Sequence, residues 1–139
     1  MINLDSFIKK LRKSGLRPTK QRLKICDVLF NKEKTFHFTI NDLIKIIKDK
    51  SDKDISLATV YNTVHAFKKS GYLKEISINS DKSYFDTNIS NHHHFYDVKA
   101  NELIDIDSNN IELKNIPSPP QGKSIKEIDV IIKVENDSQ

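Results

Sequence analysis

The sequence predicts an α+β fold: a helical N-terminal domain closed by a two-stranded wing, then a small domain built on short strands. Three observations predict it. Apolar residues recur at helical spacing in four stretches within the first 70 positions. A strand–turn–strand pattern follows them directly. Beyond residue 90 the periodicity changes to short, alternating runs. Named in full, the expected fold is an N-terminal winged helix-turn-helix followed by a small α/β dimerisation domain. The expected boundaries are residues 1–86 for the first domain, 87–90 for a hinge and 91–139 for the second.

The elements follow in order. Leu4, Phe7, Ile8 and Leu11 line one face of LDSFIKKLRK, and Ser14-Gly15 stops that helix. GLRPTKQR opens a second helix, with Pro18 suited to its entry and Thr19 able to cap it. Leu23, Cys26, Val28, Leu29 and Phe30 give this helix its apolar face, so Cys26 reads as a core residue. Thr39-Ile40-Asn41-Asp42 reads as a capping box for a third helix carrying Leu43, Ile44, Ile46 and Ile47. KDKSDKD, residues 48–54, reads as a charged loop.

Ser56 is a good N-cap for the fourth helix. Leu57, Val60, Val64 and Phe67 form its expected buried stripe, while Ala58, Thr59, Tyr61, Asn62 and His65 face outward. Gly71 is the natural stop. YLKEISI, NSDK and SYFD then read as strand, turn and strand. In a winged helix-turn-helix the fourth helix enters the major groove. Its short outward side chains permit close approach; Tyr61 can touch a thymine methyl and Asn62 can pair with adenine. Arg17, Lys20 and Arg22 supply phosphate contacts, and Ser56 and Thr59 complete the expected DNA surface.

Past residue 90, HHHFYDV, ELIDI and IKEIDVIIKV are strand-like, the last with Ile128, Val130, Ile132 and Val134 on one face. Pro117, Pro119 and Pro120 exclude a regular helix between them. So small a sheet barely stands alone, and a second copy would complete its core. A homodimer is therefore expected.

Composition narrows the function. The net charge of +4 hides a split: residues 1–82 carry 18 Lys/Arg against 9 Asp/Glu, residues 83–139 carry 5 against 10. A basic half attracts polyanions such as DNA. No apolar run reaches the roughly 18 residues of a membrane span, and no signal peptide or lipid anchor is legible, so a cytoplasmic protein without a membrane partner is expected. One cysteine excludes a disulfide within the chain and a cysteine-cage zinc site. Histidines and carboxylates alone would permit a metal-dependent hydrolase. Three glycines, no glycine-rich loop and no evident nucleophile argue against any enzyme. A mere metal store would not need the exposed LATVYN surface.

GLRPTKQRLKICDVLF, HFTINDLIK and SLATVYNTVHAFKKSGYL together resemble the Fur family of metal-responsive transcription regulators, over about residues 15–134. Within it, KSYFDTN, SNHHHFY, NELIDI and IPSPPQG are similar to the iron response regulator subgroup of alphaproteobacteria. Fur-like proteins usually hold a structural zinc with two Cys-x-x-Cys pairs. Asp97 and Ala100 occupy the first pair's positions, so that zinc is not expected. The family's helix after the first two strands of the second domain looks replaced by the proline-containing segment. Some subgroup members carry a Cys-Pro haem motif; here Cys26 is followed by Asp27.

The resemblance implies a regulatory site at His37, Asp86, His92, His94 and Asp105. In an extended strand His92 and His94 share a side and His93 takes the other. This sulfur-free set suits Fe(II), Mn(II) or Zn(II), with zinc generally winning on affinity. Imidazolium must lose its proton to bind, so affinity should fall as pH drops through about 6.5. The resemblance also implies haem contact at His92, His93 and His94, and a haem-biosynthesis enzyme as the partner delivering haem. The expected function is a DNA-binding regulator, often a repressor, of iron and haem homeostasis genes. The alternative is a peroxide-sensing repressor of the same family using Fe(II) at the same site.

Overall fold

The structure is a computed structural model that describes residues 3–50 and 55–138. It divides into two compact units, Met1–Ile89 and Ser90–Gln139. Among the described residues no helix is long and apolar enough to cross a membrane.

The first unit opens with α1 (Leu4–Lys13) and α2 (Lys20–Phe30). Asn3 Oδ1 caps α1 and Thr19 Oγ1 caps α2, each accepting a backbone N–H at 3.2 Å. α1 ends at Gly15, whose φ of 78° only glycine adopts freely. The Gly15 N–H reaches the Arg12 carbonyl at 3.0 Å and the Leu16 N–H reaches the Leu11 carbonyl at 2.8 Å, the paired bonds of a Schellman stop. β1 (His37–Phe38) leads to α3 (Ile40–Lys50). The expected capping box is present: the Thr39 N–H donates to Asp42 Oδ2 and the Asp42 N–H to Thr39 Oγ1, both at 3.1 Å. α3 runs on to Lys50, so Lys48, Asp49 and Lys50 belong to the helix and not to the charged loop the composition suggested. The rest of that segment, 51–54, lies outside the described residues.

α4 (Leu57–Lys69) begins at Ser56, whose Oγ accepts the Thr59 N–H at 3.0 Å. It stops at Gly71 with a second Schellman pair, Tyr72 to the Phe67 carbonyl at 2.9 Å and Gly71 to the Lys68 carbonyl at 3.1 Å. Its buried stripe is Val60, Thr63, Val64 and Phe67. Leu57, expected inside, is 60% exposed. As the first residue of the helix it precedes the turn on which Val60 is buried, and Thr63 closes the stripe by donating its hydroxyl to the Thr59 carbonyl at 2.7 Å. The core combines Phe7, Leu11, Ile25, Cys26, Leu29, Leu43, Ile47 and this stripe. β2 (Lys74–Asn79) and β3 (Lys82–Asp86) form the wing, and β1 pairs with β3 on its other side in an antiparallel sheet of order β1-β3-β2.

The second unit is a sheet of order β5-β4-β6, with β4 (His93–Asp97) central, β5 (Glu102–Ile106) antiparallel to it and β6 (Ile131–Val134) parallel. Among the described residues its helical part is one 3-10 turn, Ser108–Asn110. Residues 111–130 join β5 to β6 without regular structure, as three prolines and their missing N–H donors require. The last strand is shorter than its pattern suggested. Ile128 lies outside it, and Ile128 and Ile132, two of the four residues placed on one face, are 39% and 41% exposed.

Candidate metal centre and nucleic-acid interface

The second unit brings three of the five expected ligands together. His92 and His94 flank His93 at the start of β4, so their rings fall on one side, with centroids 4.5 Å apart. Asp105 stands opposite His94 in the β4–β5 register. Its Oδ1 lies 3.2 Å from His94 Nε2 and 3.6 Å from His92 Nε2. Each of the three can offer one ligand atom, and these atoms lie within 4.8 Å of one another. Both imidazoles are buried while the carboxylate is half exposed.

The hydrogen bonding favours a cation here. His92 Nδ1 lies 2.8 Å from the Ser90 carbonyl, which can only accept, so Nδ1 carries the proton. In the neutral ring Nε2 then holds a lone pair turned towards the Asp105 oxygen. Two acceptors facing one another are stabilised by a positive charge between them, whether a proton or a metal ion. The bond from Nδ1–H to a backbone carbonyl is the usual outer-sphere partner that orients a metal-ligating histidine. The donor set is therefore suited to a borderline divalent cation without sulfur.

His37 and Asp86 lie in the first unit. They are opposite one another in the β1–β3 register and so share a sheet face. Asp86 is buried and its Oδ1 accepts the Asn88 N–H at 2.8 Å. The Phe36 N–H donates to Thr87 Oγ1 at 3.0 Å, which ties the entry of β1 to the exit of β3. His93 points to the other side of its sheet, where Nδ1 accepts the Val130 N–H at 3.0 Å. That ring pins the entry to β6. Cys26 is buried among apolar side chains. Burial pushes its thiol up to about 12 against the lowering pull of the Lys10 ammonium, so it stays protonated at neutral pH.

The expected DNA surface is also assembled within one unit. Arg17, Lys20, Arg22 and Thr59 line a groove of about 550 Å³ with Thr19 and Gln21. The Arg22 guanidinium donates to the Arg17 carbonyl at 2.9 Å, which holds the cationic loop before α2. Ser56 and Thr59 hydroxyls lie 3.0 Å apart, and Ser56 is also occupied as the helix cap. Tyr61 is half exposed and Asn62 exposed. Beneath Tyr61 lies His65, its ring 4.1 Å from the tyrosine centroid and 5.5 Å from that of Phe85. Sequence reasoning missed Ser90, Thr87 and Val130, because two of them act through backbone atoms and none belongs to a chemical motif.

The Ferric uptake regulator family model matches residues 13–132. The chain belongs to the Fur family. The family's members are transcription regulators and not enzymes. Among relatives of the chain in that family, the peroxide-responsive repressor PerR of Staphylococcus epidermidis is 34% identical over 102 residues, covering 73% of this chain and 66% of that protein. The peroxide operon regulator of Bacillus subtilis is 32% identical over 102 residues, covering 73% and 68%. The chain thus spans about two thirds of the length of these relatives. Two solved Fur structures share its fold. The ferric uptake regulator from Pseudomonas aeruginosa with manganese superposes with a TM-score of 0.68 at 23% identity, covering 95% of this chain and 98% of that one. The one from Francisella tularensis with iron gives 0.69 at 22%, covering 88% and 92%. The winged-helix reading of the first unit and the small second domain agree with this fold.

Proposed function

We propose that this protein is a dimeric, sequence-specific DNA-binding repressor, working in the cytoplasm, whose hold on its operator depends on a divalent cation. The observation that carries the reading is the convergence of His92 Nε2 and His94 Nε2 on one Asp105 oxygen. His37 and Asp86, the other two donors that the family resemblance implies, belong to the proposed set. A cation can shift the protein towards its DNA-binding form only by its differential affinity for that form. Fe(II), Mn(II) or Zn(II) would supply a positive charge between the facing acceptors, and Fe(II) would add reactivity with peroxide.

Peroxide is the signal that the relatives' names favour. Iron or haem availability is the second reading, supported by the run of three histidines, since imidazole is a common haem-iron ligand. His93 has Nδ1 engaged with Val130, which leaves Nε2 for any such contact. A mobility-shift titration on promoter DNA, run stripped, with Mn(II), with Fe(II), with Fe(II) plus peroxide, and with haem, separates these. Tight binding with Mn(II) or Fe(II), lost on peroxide with one oxygen atom added to His37 or His92 by mass spectrometry, supports the peroxide reading. Loss with haem alone supports the second. Equal binding in all states refutes a sensing role.

A further inference from the structure

We propose that the dimer is closed by arm exchange: residues 111–128 of each copy lie over the open sheet face of the other. The inference rests on the dimeric reading above. It starts from two apolar surfaces in one chain, each only partly covered. Phe95 on β4 stands in register with Ile104 on β5 and Ile132 on β6. Residues directly opposite share a sheet face, so the three form one row across all three strands. Each is 37–43% exposed.

The second surface is the connection from β5 to β6. Every residue from 112 to 129 is exposed, among them Leu113, Ile116, Ile125 and Ile128. The segment nevertheless has a set shape. Asn115 and Gly122 take positive φ of 58° and 78° on either side of Pro117, Pro119 and Pro120. Pro120 to Lys123 closes a turn through the Lys123 N–H to the Pro120 carbonyl at 3.0 Å. With positive φ at its third residue, this turn is of type II. A chain stiffened by prolines and fixed corners loses little freedom on docking. Lacking N–H groups at three positions, its central stretch is unsuited to extending the sheet by strand pairing and would dock by side chains.

A second copy is the occupant that both surfaces fit. Among the described residues the second unit buries three apolar side chains, Tyr96, Leu103 and Ile106. A three-stranded sheet with so little interior needs another layer. A two-fold axis makes the contact self-complementary, so one arm and one face per chain are both consumed twice. Arm and face thus replace a covering helix with a borrowed, proline-stiffened strap.

The test uses the full chain with a photo-crosslinking phenylalanine analogue in place of Ile116. Equal amounts of ¹⁴N and ¹⁵N chains are mixed, irradiated and digested. Arm exchange gives crosslinks to peptides holding Phe95, Ile104 or Ile132, with both isotopes in one crosslinked pair. Same-isotope pairs only, or mixed pairs mapping elsewhere, overturn it. Sedimentation of Phe95→Asp and Ile116→Asp runs alongside, with circular dichroism confirming the fold. Each should weaken dimerisation about tenfold or more, as loss of a buried apolar contact implies. A dimer that both variants leave intact overturns the exchange but keeps the dimer. A wild-type chain that sediments as a monomer overturns the dimer itself.

Discussion

The first 89 residues and the last 50 stabilise themselves in opposite ways. In the first unit the apolar interior is supplied from every helix and from the wing, with Leu11, Ile25, Cys26, Leu43, Val60, Val64 and Phe67 showing no exposure at all. In the second, His92, His93 and His94 are as buried as its few apolar side chains. Buried imidazoles need partners, and theirs are the Ser90 carbonyl, the Val130 N–H and the Asp105 carboxylate. The charge differs likewise, basic before residue 82 and acidic after it. The lesson is that the unit able to hold its own shape can present function on its surface. The other unit's order is linked to whatever binds it, because a ligand or partner that binds only the folded form stabilises it by mass action.

The sharpest way to break this contrast is to hollow each unit. Phe67→Ala removes a ring that touches Phe30 at 5.4 Å and Tyr72 at 6.0 Å between centroids. It should cost about 3–5 kcal/mol in urea unfolding. Phe95→Ala, in dilute monomer, should cost under ~1 kcal/mol because its ring is already partly in water. Similar costs at the two positions would erase the distinction. Next in size is the metal. His94→Ala should lower Mn(II) affinity, read by calorimetry, by at least the ~10–100-fold that even an outer partner is worth. Wild-type should gain thermal stability on adding Mn(II) and the variant should not. An unchanged affinity would remove His94 from the site.

Legibility in the sequence follows the same division. Helices of the first unit were readable because their stops and starts are local chemistry: Thr39 and Asp42 cap reciprocally, and Gly15 and Gly71 sit at positive φ. Leu57 misled because periodicity cannot tell a first-turn residue from a mid-helix one. Lys48–Lys50 misled because charge favours a loop only when no apolar face, here Leu43 and Ile47, carries the helix onward. The metal cluster was legible as residue types, since i and i+2 in a strand share a side, but its ligand list came from family resemblance. Asp105 lies 11 residues from His94 and only strand register brings them together. For the last strand, alternation shows which residues share a side, not whether anything covers it, and Ile128 and Ile132 are exposed.

Groove residues offer a finer cut within the stable unit. Tyr61→Ala or Asn62→Ala should cost about 1–3 kcal/mol against the preferred operator and much less against unrelated DNA. Lys20→Ala should weaken both alike and reduce the salt slope by about one. Competition binding at two salt concentrations distinguishes these outcomes; uniform losses for Tyr61→Ala would make it a packing residue over His65 instead. Ser56→Ala should cost about 1 kcal/mol in thermal denaturation as a lost cap. A loss in operator affinity beyond that explained by folding would show a second role for its hydroxyl.

The smallest expected effect lies where α4 meets the wing. Glu75 on β2 takes a charged hydrogen bond from Lys68 near the end of α4. Burial alone would raise the Glu75 carboxyl. The Lys68 ammonium and the Ser83 hydroxyl outweigh it, with a further contribution from His65, and the net shift is below the usual 4.5. A carboxyl lowered in the folded state stabilises fully above its unfolded value. That stabilisation is lost as pH falls below about 4.5 and through the lowered folded value. With Lys68 half exposed, the pair is worth only about 0.2–1 kcal/mol. Glu75→Gln should therefore cost that much at pH 7 and progressively less as pH falls below about 4.5, with the difference shrinking in high salt. A pH-independent cost would mean that Glu75 acts by packing between helix and wing, and that its charge is incidental.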